Sequence, residues 1–137
     1  VGNVRDRSVL EHILERQKTL QNHLKRLNCI TSDDIKKDDM AYDICSFNVM
    51  QIGELANTLS QEVKEKIHFL DNNNIKFMRN KVAHDYRKVN KDILIAFALN
   101  LCKKENIKIT QDVIKEIAVK DNKVNNNPVP AKRGRSR

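Results

Sequence analysis

An all-α protein is what this sequence predicts, and three observations carry that prediction. Apolar residues recur at spacings of three and four along most of the chain, the period of a helix face. Glycine and proline number only three and two in 137 residues, so few segments are interrupted. Aromatics are 4% of the chain while Lys, Glu, Asp, Asn, Leu and Ile dominate, a composition suited to long helices rather than a strand-rich sandwich. A chain of this length has room for one modest core.

The first helix is expected from Val4 to about Asn28, where Val9, Leu10, Ile13, Leu14, Leu20, Leu24 and Leu27 share a face. Ser8 followed by Glu11 reads as a capping box that starts its regular part. The polar cluster Thr31-Ser32-Asp33-Asp34 breaks the pattern and supplies caps for a second helix from about Asp38. That helix carries Met40, Ala41, Ile44, Cys45, Val49, Ile52, Leu55, Ala56 and Leu59 on a broad stripe. Gly53 lies inside it at a cost of about 1 kcal/mol against alanine, which points either to close packing by another helix or to contact with a ligand. Ser60 caps a short turn through Ile67, with Glu62 where negative charge suits the helix dipole. The run Asp71-Asn72-Asn73-Asn74 restarts the chain, and a third helix is expected from about Asn74 to Ala83 with Ile75, Met78 and Val82 facing inward. Asn90 caps the fourth, Asp92 stands in its first turn and Val89 can staple onto Leu94; apolar nearly all round, it is expected to be the most buried element. Thr110 to Val119 suits one further short helix.

The net charge is +8, yet residues 120–137 hold six Lys or Arg and one Asp, so most of the excess sits in a terminal segment without periodicity. Such a tail is either a solvated, disordered end or a polyanion-attracting one. The cysteines Cys29, Cys45 and Cys102 are odd in number, far apart and set among apolar residues, which predicts buried free thiols rather than disulfides or a zinc site. The longest apolar run, Ile93 to Leu99, falls well short of the ~20 residues that span a bilayer. With no signal-peptide layout at its start, the chain is expected in a reducing cytoplasm and not at a membrane. No Gly-rich phosphate loop, nucleophile elbow or paired-Asp metal pattern occurs, so no cofactor or metal is expected. His12, His23 and His68 lie in separate segments as surface or packing residues.

The chemistry concentrates in Arg79-Asn80-Lys81-Val82-Ala83-His84-Asp85-Tyr86. Arginine offers a permanently charged fork of donors that matches phosphate oxygens, and histidine exchanges protons near neutral pH. On one uninterrupted α-helix, positions 79 and 84 would point about 140° apart. Convergence therefore needs a bend between them or a second copy of the chain at a twofold interface. If they meet on an RNA phosphate, the ribose 2′-hydroxyl is the nucleophile and no metal is needed: His84 serves as base or acid and Arg79 stabilises the phosphoryl oxygens. In the plain structural alternative, Arg79 pairs with Asp85 or Glu54, His84 finishes a helix and Tyr86 is a half-buried anchor.

This segment resembles the signature of HEPN-domain proteins of the HepT type. The likeness extends upstream, where Ile52-Gly53-Glu54-Leu55-Ala56 stands in the place of the family's Ile-Gly-Glu element and Met78-Arg79-Asn80 in that of its Met-Arg-Asn. It covers roughly residues 5 to 105, with one departure: a Pro-Trp pair common before the third helix is replaced by Asp71 to Asn74. The resemblance implies a HEPN-type antiparallel bundle of four main helices plus short ones over residues 1–106, then a short helix over 107–120 and a disordered basic tail over 121–137. It implies a homodimeric, metal-independent endoribonuclease with Arg79 and His84 catalytic and Asn80, Glu54 and Asp85 in support. It also implies the toxin half of a type VII toxin–antitoxin pair, whose MNT-type nucleotidyltransferase adds AMP to Tyr86. Two other readings stay open: a non-catalytic dimeric module that docks a nucleotidyltransferase, and a nucleic-acid binder acting through its basic tail.

Overall fold

The computed structural model describes residues 3–79 and 90–125, with side chains of the last helix as far as Val119. Seven helices are present among the described residues and no strand: α1 (Val4–Arg26), α2 (Ser32–Lys36), α3 (Asp39–Asn57), α4 (Gln61–Lys66), α5 (Asn72–Phe77), α6 (Lys91–Leu101) and α7 (Lys104–Asn125). The protein is all-α, of the HEPN bundle type. The centre of the bundle is α1 and α3 packed together, with α7 against α1, and α6, α2 and α5 against α3. α1 and α3 run antiparallel, since Asp6 near the start of one meets Ser60 just past the end of the other.

The first six helices each start where a short polar side chain satisfies backbone N–H groups that have no partner within the helix. Asn3 Oδ1 accepts from the Asp6 N–H at 2.8 Å, so α1 begins at Val4, ahead of the expected Ser8 box. Asp38 opens α3, Ser60 opens α4 and Asp71 opens α5, the last in place of the family's Pro-Trp pair. Asn90 Oδ1 accepts from both Asp92 and Ile93, the start expected for α6. The staple partner Val89 lies outside the described residues.

Three elements differ from expectation. Residues 31–37 are expected to break the pattern and supply caps for the following helix, but Ser32–Lys36 form a helix of their own, α2, because Thr31 and Asp34 complete a reciprocal capping box and Ile35 is fully buried as an anchor. Thr31 and Ile30 N–H groups bonding to the Asp34 carboxyl, with the Thr31 hydroxyl, hold its pKa below the ordinary carboxylate range. The last helix begins at Lys104 and reaches Asn125 rather than spanning 110–119, with Thr110, Val113 and Ile117 buried along it. α6 buries Leu94, Ile95, Ala98 and Leu101, yet Ile93 is 47% exposed, so it keeps a solvent face.

The core draws on Leu10, Ile13, Leu20 and Leu24 of α1, Cys45, Val49, Ile52 and Ala56 of α3, and the buried faces of α6 and α7. Fully burying each large aliphatic side chain contributes about 1.5–3 kcal/mol. Two polar residues share the α1 face with these leucines. Asp6 takes hydrogen bonds from the Ser60 backbone N–H and hydroxyl, both at 2.9 Å. Gln17 donates to the Leu101 carbonyl at 2.8 Å, pinning α1 to the end of α6.

Candidate functional site

Gly53 and Glu54 on α3 meet Met78 and Arg79 at the end of α5. A Cβ added to Gly53 would lie 2.8 Å from Met78 Cβ, inside the separation that real Cβ atoms keep, and in ordinary contact with Arg79 Cγ at 3.7 Å. Close helix approach, rather than ligand contact, is thus what the glycine serves at this position. It lets the two backbones come near enough for Glu54 Oε1 to accept from Arg79 Nε at 2.8 Å. α5 is held there by buried Ile75 and Met78 and by Phe77, whose ring lies 5.0 Å from that of Phe97 on α6.

At Met78 and Arg79 the backbone widens from α into a π turn. Such turns are uncommon and gather at functional sites. The Arg79 and Glu54 side chains remain 39% and 55% exposed, so the guanidinium is oriented without being sealed. Bonding through Nε fixes the plane of the group. Its Nη edge, with four further N–H donors, has no partner among the described residues.

Of the pairings open to Arg79, the one with Glu54 is formed. Asn80, His84, Asp85 and Tyr86 lie outside the described residues. The described histidines are two exposed residues, His12 and His68, and half-buried His23. All three cysteines are buried free thiols. Burial, with Cys102 nearby, pushes the Cys45 pKa up to about 12, which keeps it protonated and unsuited to nucleophilic or ligating work. Among the described residues no three His, Cys, Asp or Glu side chains gather as a metal site, and no helix is long and apolar enough to cross a membrane.

The roles of Asp6, Gln17 and Gln21 in tying the bundle together were missed at the level of sequence. Gln21 repeats the action of Gln17 one turn later, donating to the Cys102 carbonyl at 3.1 Å. For Asp6 and Gln17 a signal exists: positions 6, 10, 13, 17, 20 and 24 alternate spacings of four and three, and a polar residue on such a stripe must find a buried partner.

The bundle presses a Gly-Glu step of α3 against a Met-Arg step at the end of α5 and leaves a half-exposed arginine at the contact. Residues 9–116 match the family model described as Ribonuclease HepT-like, and the chain belongs to that family. No curated protein and no solved structure gives a significant match to the chain.

Proposed function

We propose that this chain is a metal-independent endoribonuclease and the toxin half of a toxin–antitoxin pair, with Arg79 and His84 as catalytic residues. The observation that carries the reading is the Glu54–Arg79 contact at 2.8 Å, formed between the two sequence elements that carry the resemblance, in a chain whose residues 9–116 match the HepT-like ribonuclease family. An arginine held by Nε, with no partner for its Nη edge among the described residues, is suited to a phosphate.

In the proposed reaction a base takes the proton of the ribose 2′-hydroxyl and the 2′-oxygen attacks phosphorus. The bond to the 5′-oxygen breaks, and an acid protonates that leaving oxygen. His84 from one or both copies of a homodimer fills these roles. Arg79 stabilises charge on the non-bridging oxygens. The products are a 2′,3′-cyclic phosphate and a 5′-hydroxyl. Asn80 and Asp85 support the site, and the three buried thiols suit a reducing cytoplasm.

Regulation is proposed through an MNT-type nucleotidyltransferase that attaches AMP to Tyr86. A nucleotide two residues from His84 would add bulk and negative charge where RNA must bind. Incubation with that enzyme and ATP should add one AMP to the Tyr86 peptide, detected by mass spectrometry and absent in Tyr86→Phe.

The test of catalysis is cleavage of single-stranded RNA in EDTA, with DNA of the same sequence uncut. Arg79→Ala should lower the rate about 10²–10³-fold, and His84→Ala about 10²–10⁴-fold. Undiminished cleavage in His84→Ala overturns the mechanism. The engagement of Arg79 with Glu54 favours one second reading, a non-catalytic module that docks the nucleotidyltransferase. It predicts no cleavage and full partner binding by the same variants.

A further inference from the structure

A groove runs between α1 and α7, lined by Lys18 on the first helix and Lys104, Lys108 and Lys115 on the second. None of its lining residues comes from α3 or α5, so it is separate from the Glu54–Arg79 contact. All four lysines are exposed. Among the described residues the only acid lining the groove, Asp112, already accepts from Lys108 at 3.0 Å. The lysines on α7 lie at i, i+4 and i+11, a row about 16 Å long on one helix face.

The groove has fixed walls. Gln17 and Gln21 tie α1 to the Leu101 and Cys102 carbonyls at the turn that begins α7, at 2.8 and 3.1 Å. Among the described residues its only apolar lining residue, Ile107, is 7% exposed and forms floor rather than contact surface. A protein interface draws its affinity from buried aromatic and apolar anchors, and this groove presents none. Ammonium groups in a row with amide side chains between them, Asn22 and Gln111, match instead a chain of phosphates and ribose hydroxyls.

We infer that this groove binds the sugar–phosphate backbone of single-stranded RNA, as a second site that holds the strand while another part of it is cut. The inference rests on the ribonuclease reading for its purpose, but RNA binding is measured without cleavage. Four lysine–phosphate contacts contribute about −3 to the slope of log affinity against log salt for a single strand, at roughly −0.7 each.

The experiment uses the full chain carrying Arg79→Ala, a fluorescein-labelled single-stranded RNA and anisotropy titrations over a range of KCl concentrations. Adding Lys18→Glu, Lys104→Glu and Lys115→Glu should weaken binding at least ~10-fold and flatten the slope by about 2. An equal loss of charge at Lys37, Lys64 and Lys91, outside the groove, should have a far smaller effect. The inference is overturned if the groove variant, shown folded by circular dichroism, keeps its affinity and slope, or if the control variant loses as much. Polyglutamate binding more tightly than RNA would overturn it in favour of an acidic protein. A groove that binds RNA in a chain whose native form cuts none would overturn the catalytic reading alone.

Discussion

Among the carboxylates that reach across to distant parts of the chain, Asp6 and Glu54 do so in opposite settings. Asp6 is 2% exposed, and each of its oxygens takes one hydrogen bond from Ser60. Glu54 is 55% exposed and spends one oxygen on the Nε of an arginine that is itself 39% exposed. A buried, fully satisfied carboxylate fixes structure, because losing it strands its partners away from water. An ion pair left in solvent adds little stability. In the proposed reaction its value lies in where it aims the arginine. The two contacts contrast holding the fold with, in the proposed function, preparing a ligand site.

The largest expected effect of breaking that contrast is at Asp6. Its acceptor oxygens serve the Ser60 N–H and hydroxyl, and the same hydroxyl accepts from the Val63 N–H to start α4. Hydrogen bonds to a charged acceptor are worth about 1.5–3 kcal/mol each, so Asp6→Ala should cost ~2–4 kcal/mol after partial rehydration. For a chain of this size that is a fall of roughly 10 °C in Tm. A thermal melt followed by circular dichroism measures it, and a change within ~0.5 kcal/mol would mean that Ser60 finds water instead.

How this contrast could be read from sequence alone differs between its two sides. The helices were visible because leucines and isoleucines recur at helical period and because Asp38, Ser60 and Asn90 are cap residues placed ahead of apolar runs. Arg79 and Glu54 were visible as candidates from the motif and the element upstream, and their pairing was one of the two offered for Arg79. Asp6 was not seen, since its partner is 54 residues away and no local pattern marks Ser60 as anything but a cap. α2 was read as an interruption because five residues hold too little periodicity for the pattern to show, and it is Ile35 and the Thr31–Asp34 box that make it a helix. The start of α7 at Lys104 was hidden by Lys103, Lys104 and Glu105, which look like a loop until Asn106 and Ile107 are found buried beneath them.

Gly53→Ala tests the backbone approach on which the exposed contact depends, with an intermediate effect. Two terms oppose each other. Alanine gains about 1 kcal/mol of helix propensity over glycine. The new methyl, however, would stand 2.8 Å from Met78 Cβ, and neither atom can move without moving its helix. Overpacking of this kind costs typically 1–3 kcal/mol, so the expected net loss is about 1 kcal/mol. Alongside it, α5 should shift away from α3 and lengthen the Glu54–Arg79 bond. A denaturation curve gives the first effect. The second appears as loss of coupling between Glu54 and Arg79 in a double-mutant cycle, and a stabilised Gly53→Ala would show that the two helices part easily.

The smallest effect on stability, and the sharpest test of the aiming role, is at Glu54. At its exposure the ion pair contributes about 0–1 kcal/mol, so Glu54→Gln and Glu54→Ala should both melt close to the native chain. Their activities should diverge. Glutamine keeps an oxygen for Arg79 Nε while removing the negative charge that competes with phosphate for the guanidinium. Glu54→Gln should therefore bind RNA more tightly and retain kcat. Alanine removes the charge and the acceptor together, leaving the arginine free to swing, so tight binding should persist while kcat falls. Steady-state cleavage assays at several salt concentrations separate the two, because the gain in affinity should shrink as salt screens the charges. If Glu54→Gln and Glu54→Ala lose kcat equally, the carboxylate charge matters beyond holding Nε, and Glu54 moves from a positioning residue to a participant in the reaction.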